Sequence, residues 1–216
     1  MSEGYQHHLE RSVLAIVGRG FEDVELAAYT SLAGWTRLAP TLPSVHVLIT
    51  GFHEVIPSRH GLRLFRDLPL DAAAARDWDA VIVPGGWPDV GYEELYQEPV
   101  LSLLRRTHGR GGIIATSCTG IFVAGEAGLL KGRRATTYAS PDGQCPSCAE
   151  HPKRLAAYGA QVCEASVVAD DRILSDIGPA VGLHGALTLL QLLIGEAAVN
   201  QLRKELLLDI GSNERR

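Results

Sequence analysis

The sequence predicts an α/β fold in which helices cover both faces of a mostly parallel sheet. Three observations carry this expectation. Short runs rich in Val, Ile and Leu recur along the chain, as in SVLAIVG, SVHVLIT, DAVIVPGG and GGIIAT. Stretches with helical spacing separate them, as strand–helix–strand units require. The runs are nearly continuous in apolar character, as strands buried on both faces are. The chain has 216 residues with no internal repeat and no low-complexity linker, so residues 1–216 are expected to form one domain.

Residues 12–18 read as the first buried strand. Residues 21–39 read as a helix whose early acids, Glu22 and Asp23, complement its dipole. A second strand follows at 44–50, then short strands between Glu54 and Phe65 around the turn SRHG. The third core strand, 79–86, ends in Pro84-Gly85-Gly86. Tyr92, Leu95, Tyr96, Val100, Leu103 and Leu104 then recur at helical spacing. Residues 111–116 form a fourth core strand, with a short helix from Gly120 to Leu129. ATTY (135–138) and a segment within 161–174 read as later strands. Residues 181–194 are apolar nearly all round and predict a buried helix, and 197–208 a final helix. The turn-rich stretch 140–152, SPDGQCPSCAEHP, reads as a loop.

Composition narrows the function classes. The formal net charge is −5 and no basic block occurs, so neither nucleic acid nor an acidic membrane is an expected partner. No apolar run is long enough to span a bilayer, and the N-terminus MSEGYQHHLERS is polar, without a signal-like core. A cytoplasmic location is expected. The four cysteines, Cys118, Cys145, Cys148 and Cys163, are then expected as thiols, ligands or redox groups rather than as a disulfide framework.

The stretch IIATSCTGIFVAGEAG holds the main chemical candidate. Cys118 falls at the carboxyl end of a core strand, directly before a helical pattern. Ligands bind at that edge of parallel sheets. A sharp strand-to-helix turn projects its side chain out of the sheet, as in a nucleophile elbow. Free N–H groups at the helix start favour a thiolate and can hold an oxyanion. The alternative is an inert buried thiol. Gly86 ends another core strand at the same edge, so its amide and that of Thr119 form a candidate oxyanion site. Glu25, in FEDVEL, can meet Cys118 if it turns toward this edge. A carboxyl beside a thiolate would stay protonated and donate to sulfur.

In this order, FEDVEL, VPGG, TSCTGIFVAGEAGLLKGRRATT and LSDIGPAVGLHGAL resemble the ThiJ/PfpI superfamily (DJ-one type), within the class I glutamine amidotransferase-like fold. The resemblance implies a flavodoxin-like three-layer α/β/α sandwich and a homodimer. It assigns the nucleophile to Cys118, its protonated acidic partner to Glu25, and the oxyanion amides to Gly86 and Thr119. It implies chemistry on a small-molecule carbonyl or amide, of glyoxalase, deglycase or amidase type, without a cofactor. A redox-sensing or chaperone-like role through reversible oxidation of the cysteine is the other class that members show. Peptidase-like members carry His after the cysteine, where this chain has Thr119. Others have His at the end of the next strand, where this chain has Tyr138, a poor base at neutral pH. CTG at 118–120 resembles isocyanide hydratases, although those use aspartate near the place of Glu25.

Three further candidates remain. Cys145-Pro-Ser-Cys148 followed by His151 has spacing suited to a redox pair or a soft metal, and Cys148 or Cys145 could resolve an oxidised Cys118. His151 is a possible acid or base. His184 follows a Gly-Pro turn and could aim at Cys118, or be a hydrogen-bonded core histidine. Ser175 and Asp176 precede that turn and could shape the pocket. His46, His53, His60 and His108 do not cluster in the sequence, and Cys163 reads as core.

Overall fold

The computed structural model describes residues 10–39, 41–140 and 145–208. Most of the polar N-terminal stretch and residues 141–144 of the turn-rich stretch lie outside the described residues. In chain order the elements are β1 (Glu10–Ile16), α1 (Asp23–Thr36), β2 (Ser44–Thr50), β3 (Val55–Pro57), β4 (Arg63–Phe65), α2 (Leu70–Ala74), β5 (Ala80–Val83), α3 (Glu98–Gly109), β6 (Ile113–Ser117) and α4 (Ile121–Glu126). There follow β7 (Arg134–Ala135), α5 (Pro146–Ala149), α6 (His151–Ala157), β8 (Gln161–Val162), β9 (Val167–Asp170), β10 (Ile173–Asp176), α7 (Gly182–Ile194) and α8 (Glu196–Glu205).

The central sheet has the order β2-β1-β5-β6-β10-β9. All its pairings are parallel except β9 with β10. Leaving out the antiparallel edge strand, this is the flavodoxin-like order, whose ligand site lies where strand order reverses. Here that point lies between β1 and β5, beside the carboxyl end of β6.

Successive side chains of β1 take opposite faces, as a strand dictates. Val13, Ala15 and Val17 pack with Leu26, Tyr29 and Leu32 of α1 and with Leu189 and Leu190 of α7. Leu14 and Ile16 pack with Leu103 and Leu104 of α3 and Phe122 of α4. The two cores explain the continuous apolar runs: each strand feeds both.

Several boundaries differ from the expectation. Residues 92–96 form a 3-10 turn before α3, and 118–120 another before α4. The strand expected at 135–138 keeps only Arg134–Ala135, because the chain leaves its short partner β8 at once. The stretch read as a loop contains α5 and begins α6. The helix α7 is not buried all round: Leu183 and Leu192 are exposed, so its apolar content exceeds what its inward face needs. Cys163 is half-buried beyond the end of β8, not core. Among the described residues no helix is long and apolar enough to cross a membrane.

Candidate active site

Cys118 stands at the turn from β6 into α4 with φ +54°, a strained left-handed conformation for a non-glycine residue. Two glycines make room for it. A Cβ on Gly85 would lie 2.7 Å from the Cβ of Cys118, and one on Gly178 would lie 3.1 Å from the same atom. The Thr137 hydroxyl donates to the Cys118 carbonyl oxygen (2.9 Å) and braces the turn.

Glu25 reaches this turn because two loops are stitched together. The Glu22 N–H donates to Gly85 O (2.9 Å), and the Trp87 N–H to Gly20 O (3.2 Å). That pairing ties the start of α1 to the Pro84-Gly85-Gly86 turn and aims Glu25 inward, fully buried. Its Oε2 accepts from the Gly85 N–H at 2.7 Å. Its Oε1 has no hydrogen-bond partner among the described residues and lies on the side of Gly178 and Cys118, since a Cβ on Gly178 would touch both Oε1 (3.1 Å) and Cys118 Sγ (3.4 Å). Burial, partly offset by the Gly85 amide, lifts the Glu25 pKa from 4.5 to about 8. The carboxyl is therefore protonated at neutral pH and lies beside the thiol.

Burial pushes the Cys118 thiol up as well, a charged Glu25 would push it further, and the Thr119 N–H pointing at sulfur acts against both. The six residues of α4 offer only a small dipole to set against desolvation. Burial and the neighbouring carboxyl disfavour the thiolate, and the Thr119 N–H favours it.

A second network lies beneath. Asp176 is fully buried. It accepts from Ser117 Oγ (2.5 Å), Tyr29 Oη (2.8 Å) and the Gly178 N–H (2.9 Å). Burial raises its pKa, and these donors oppose the rise. Asp176 thus clamps the residue before Cys118 to α1. Ser175 accepts from the Thr136 N–H (3.0 Å) and fixes the segment after β7. Both support the site from behind.

The oxyanion expectation changes at Gly86. Its N–H donates to Thr119 Oγ1 (3.0 Å), and the same hydroxyl also lies 2.9 Å from Gly86 O. The Thr119 side chain occupies that amide, as a neighbouring acceptor will. The Thr119 amide remains beside the sulfur.

Cys118 opens onto a cavity of about 340 Å³ walled by Glu22, Glu25, Gly86, Trp87, Tyr96, Thr119, Tyr138, Cys148, His151 and Arg154. Glu22, expected only as a dipole partner, lines it and pairs with His60 Nε2 (2.9 Å). Tyr138 lines the wall, and its backbone oxygen accepts from His151 Nδ1 (2.9 Å). A carbonyl only accepts, so Nδ1 carries the proton and Nε2 is left as a base. Burial lowers the His151 pKa and keeps the ring neutral. The ring also packs edge-on against Phe122 at 5.2 Å.

The His184 expectation is overturned. It is exposed and lines a different surface cavity with Gln191 and Glu196. Gly182, Gly185, Ala186, Leu189 and Leu190 take the inward face of α7, and helical phase turns His184 outward. The metal expectation for Cys145 and Cys148 fails too. The two sulfurs are bonded to each other, and no group of three potential ligands occurs among the described residues.

Sequence reasoning missed Arg154, Tyr96 and Trp87. The Arg154 guanidinium lies 4.3 Å over Phe122 and 5.4 Å over Tyr96. It makes long contacts to Tyr158 Oη (3.3 and 3.4 Å). Among the described residues it has no ion-pair partner. Tyr29 was the more findable residue, since it follows Glu25 at i+4 and shares its helix face.

Comparison with known proteins agrees with this fold. The chain is 31% identical over 172 residues to an isonitrile hydratase from Pseudomonas putida, covering 76% of this chain and 66% of that protein. It is 26% identical over 200 residues to protein DJ-1 homolog A of Arabidopsis thaliana, where it spans 92% of this chain but only 47% of the relative. Other relatives at low identity are named as deglycases and as a glutathione-independent glyoxalase. The crystal structure of Drosophila melanogaster DJ-1beta superposes with a TM-score of 0.77 at 22% identity, over 92% of this chain and 98% of that one. The model of the DJ-1/PfpI family matches residues 11–191, and the chain belongs to that family.

Proposed function

We propose that this chain is a cysteine-dependent enzyme acting on a small carbonyl compound. The observation that carries the reading is the buried, protonated Glu25 facing Cys118 at the floor of a cavity. In this reading Cys118 Sγ attacks the carbonyl carbon. The C–S bond forms as the C=O π pair moves to oxygen, and the thiol proton passes to His151 Nε2 across the cavity. The Thr119 amide and the Glu25 acid donate to the charge that develops. Returning the proton from His151 to that oxygen completes a hemithioacetal. Arg154, a cation on the cavity wall stacked on aromatic rings, favours carbonyl substrates that carry an anionic group. A cytoplasmic homodimer belongs to the same proposal. Exposed Val24 on α1 and Leu183 on α7 offer apolar surface for a second copy.

The test is turnover of methylglyoxal, a small amide and an isonitrile by the protein and by Cys118→Ala. The expected result is measurable consumption of the aldehyde, lost in the variant. Preferential turnover of the amide or the isonitrile would redirect the substrate class. Unchanged turnover in Cys118→Ala would remove the basis of the proposal.

A further inference from the structure

The Cys145–Cys148 pair is not used by carbonyl chemistry, yet it adjoins the same cavity. Cys148 is 3% exposed and lines the cavity that Cys118 opens onto. Cys145 is only half-buried and is not one of the residues that line the cavity. The two are bonded, while Cys118 is a free thiol. Both sit at the short helix α5, with Pro146 at its first position and Cys145 O accepting from the Cys148 N–H (3.0 Å). The fourth cysteine, Cys163, lines a separate cavity with Thr136, Ile177 and Ala180. One cysteine of the pair therefore lines the cavity of the reactive thiol, the other is half-buried and outside that lining, and the two are already bonded.

We propose that these three cysteines form a relay that reduces hydroperoxides at the expense of an external dithiol. Cys118 sulfur attacks the outer oxygen of a hydroperoxide. The S–O bond forms, the O–O bond breaks, and the alcohol leaves with the thiol proton, giving Cys118 sulfenic acid. The α5 turn closes on the cavity and the Cys148 thiol displaces water from that sulfur, forming a Cys118–Cys148 disulfide. Cys145 then attacks Cys148 sulfur, bonds to it and releases Cys118 as a thiol. The resulting connectivity is the one the structure holds. A dithiol reductant reaches the half-buried Cys145, takes the disulfide and returns both thiols. Over a full turn one hydroperoxide and one dithiol give one alcohol, one water and one disulfide. Cys148 resolves because it lines the cavity, and Cys145 exits because it lies outside that lining.

The experiment starts from fully reduced protein, adds one equivalent of hydrogen peroxide, and maps disulfides by non-reducing peptide mass spectrometry. The wild type is expected to give the Cys145–Cys148 peptide with Cys118 free. Cys145→Ser should stop at a Cys118–Cys148 peptide. Cys148→Ser should instead accumulate a Cys118 adduct with dimedone. In Cys118→Ala the Cys145–Cys148 bond should form at least about tenfold more slowly, since it loses its route through a mixed disulfide. Absence of the Cys118–Cys148 peptide in Cys145→Ser overturns the relay, as does an undiminished rate in Cys118→Ala. The readout is sulfur connectivity without any carbonyl substrate, so the relay and the carbonyl chemistry fail separately.

Discussion

Replacing Glu25 by Gln asks whether a buried, protonated carboxyl organises this site. Glu25 has a pKa of 4.5 in its ordinary state and about 8 in the fold. Below the lower value both folded and unfolded chains hold the proton. Between the two only the folded chain holds it, so stability falls as pH rises through this window. At about 1.4 kcal/mol for each pH unit, the loss approaches 5 kcal/mol by pH 8. Glutamine fits without that linkage. Its oxygen accepts from the Gly85 N–H and its amide takes the place of Oε1 beside the thiol. Urea unfolding of both proteins from about pH 5 to about pH 8 measures the difference. The wild type should lose several kcal/mol across the range, or about 10–20 °C in Tm, and the variant much less. Asp176, also raised by burial, leaves a residual slope in both. Parallel curves for the two proteins would refute the assignment of the proton to Glu25.

His151→Phe keeps the edge contact with Phe122 and removes Nε2. The kcat/KM for an aldehyde should fall by about 10²–10⁴. The acid limb of its pH profile, set in the wild type by a histidine held below its usual range, should disappear. On the alkaline side the wild-type rate should fall near pH 8, where Glu25 gives up its proton, and Glu25→Gln should lack that fall. Arg154→Met keeps the stem and removes the cation. It should raise KM about tenfold for an anionic aldehyde relative to a neutral one, the size of one charge-assisted hydrogen bond. Equal effects on both substrates would show that Arg154 only packs.

Residues whose signal is local were legible in the sequence. Cys118 was marked by the apolar run that ends at it, and the mostly parallel sheet by four such runs. Glu25 needed only a choice of helix face, although the Glu22–Gly85 pairing that sets this choice comes from distant chain. Part of the cavity wall was not legible, because Trp87, Tyr96 and Arg154 come from three segments with no shared spacing. His184 was misplaced for the opposite reason. The Gly-Pro turn near the elbow drew attention, but the phase of α7 is set by Gly182 and Gly185 closing on α1. A Cβ on Gly185 would lie 2.6 Å from Tyr29 Oη. The direction of the thiol's shift depends on burial, which a motif does not encode.

The proton partner of Cys118 shows how the fold substitutes for a missing residue. Thr119 and Tyr138 stand where relatives are expected to place histidine, and neither supplies a base. Thr119 spends its hydroxyl on Gly86, which holds the Pro-Gly-Gly turn against the elbow. Tyr138 offers its backbone oxygen, which fixes the tautomer of His151. In the proposed reaction the base therefore enters the cavity from α6 instead of from the strand end. It lies three residues beyond Cys148, so the turn that holds the disulfide also positions the base. Closing that turn on Cys118 would carry His151 with it and disturb its bond to Tyr138. Peroxide reduction and carbonyl chemistry would then exclude each other in time, because the first moves the residue that the second needs in place.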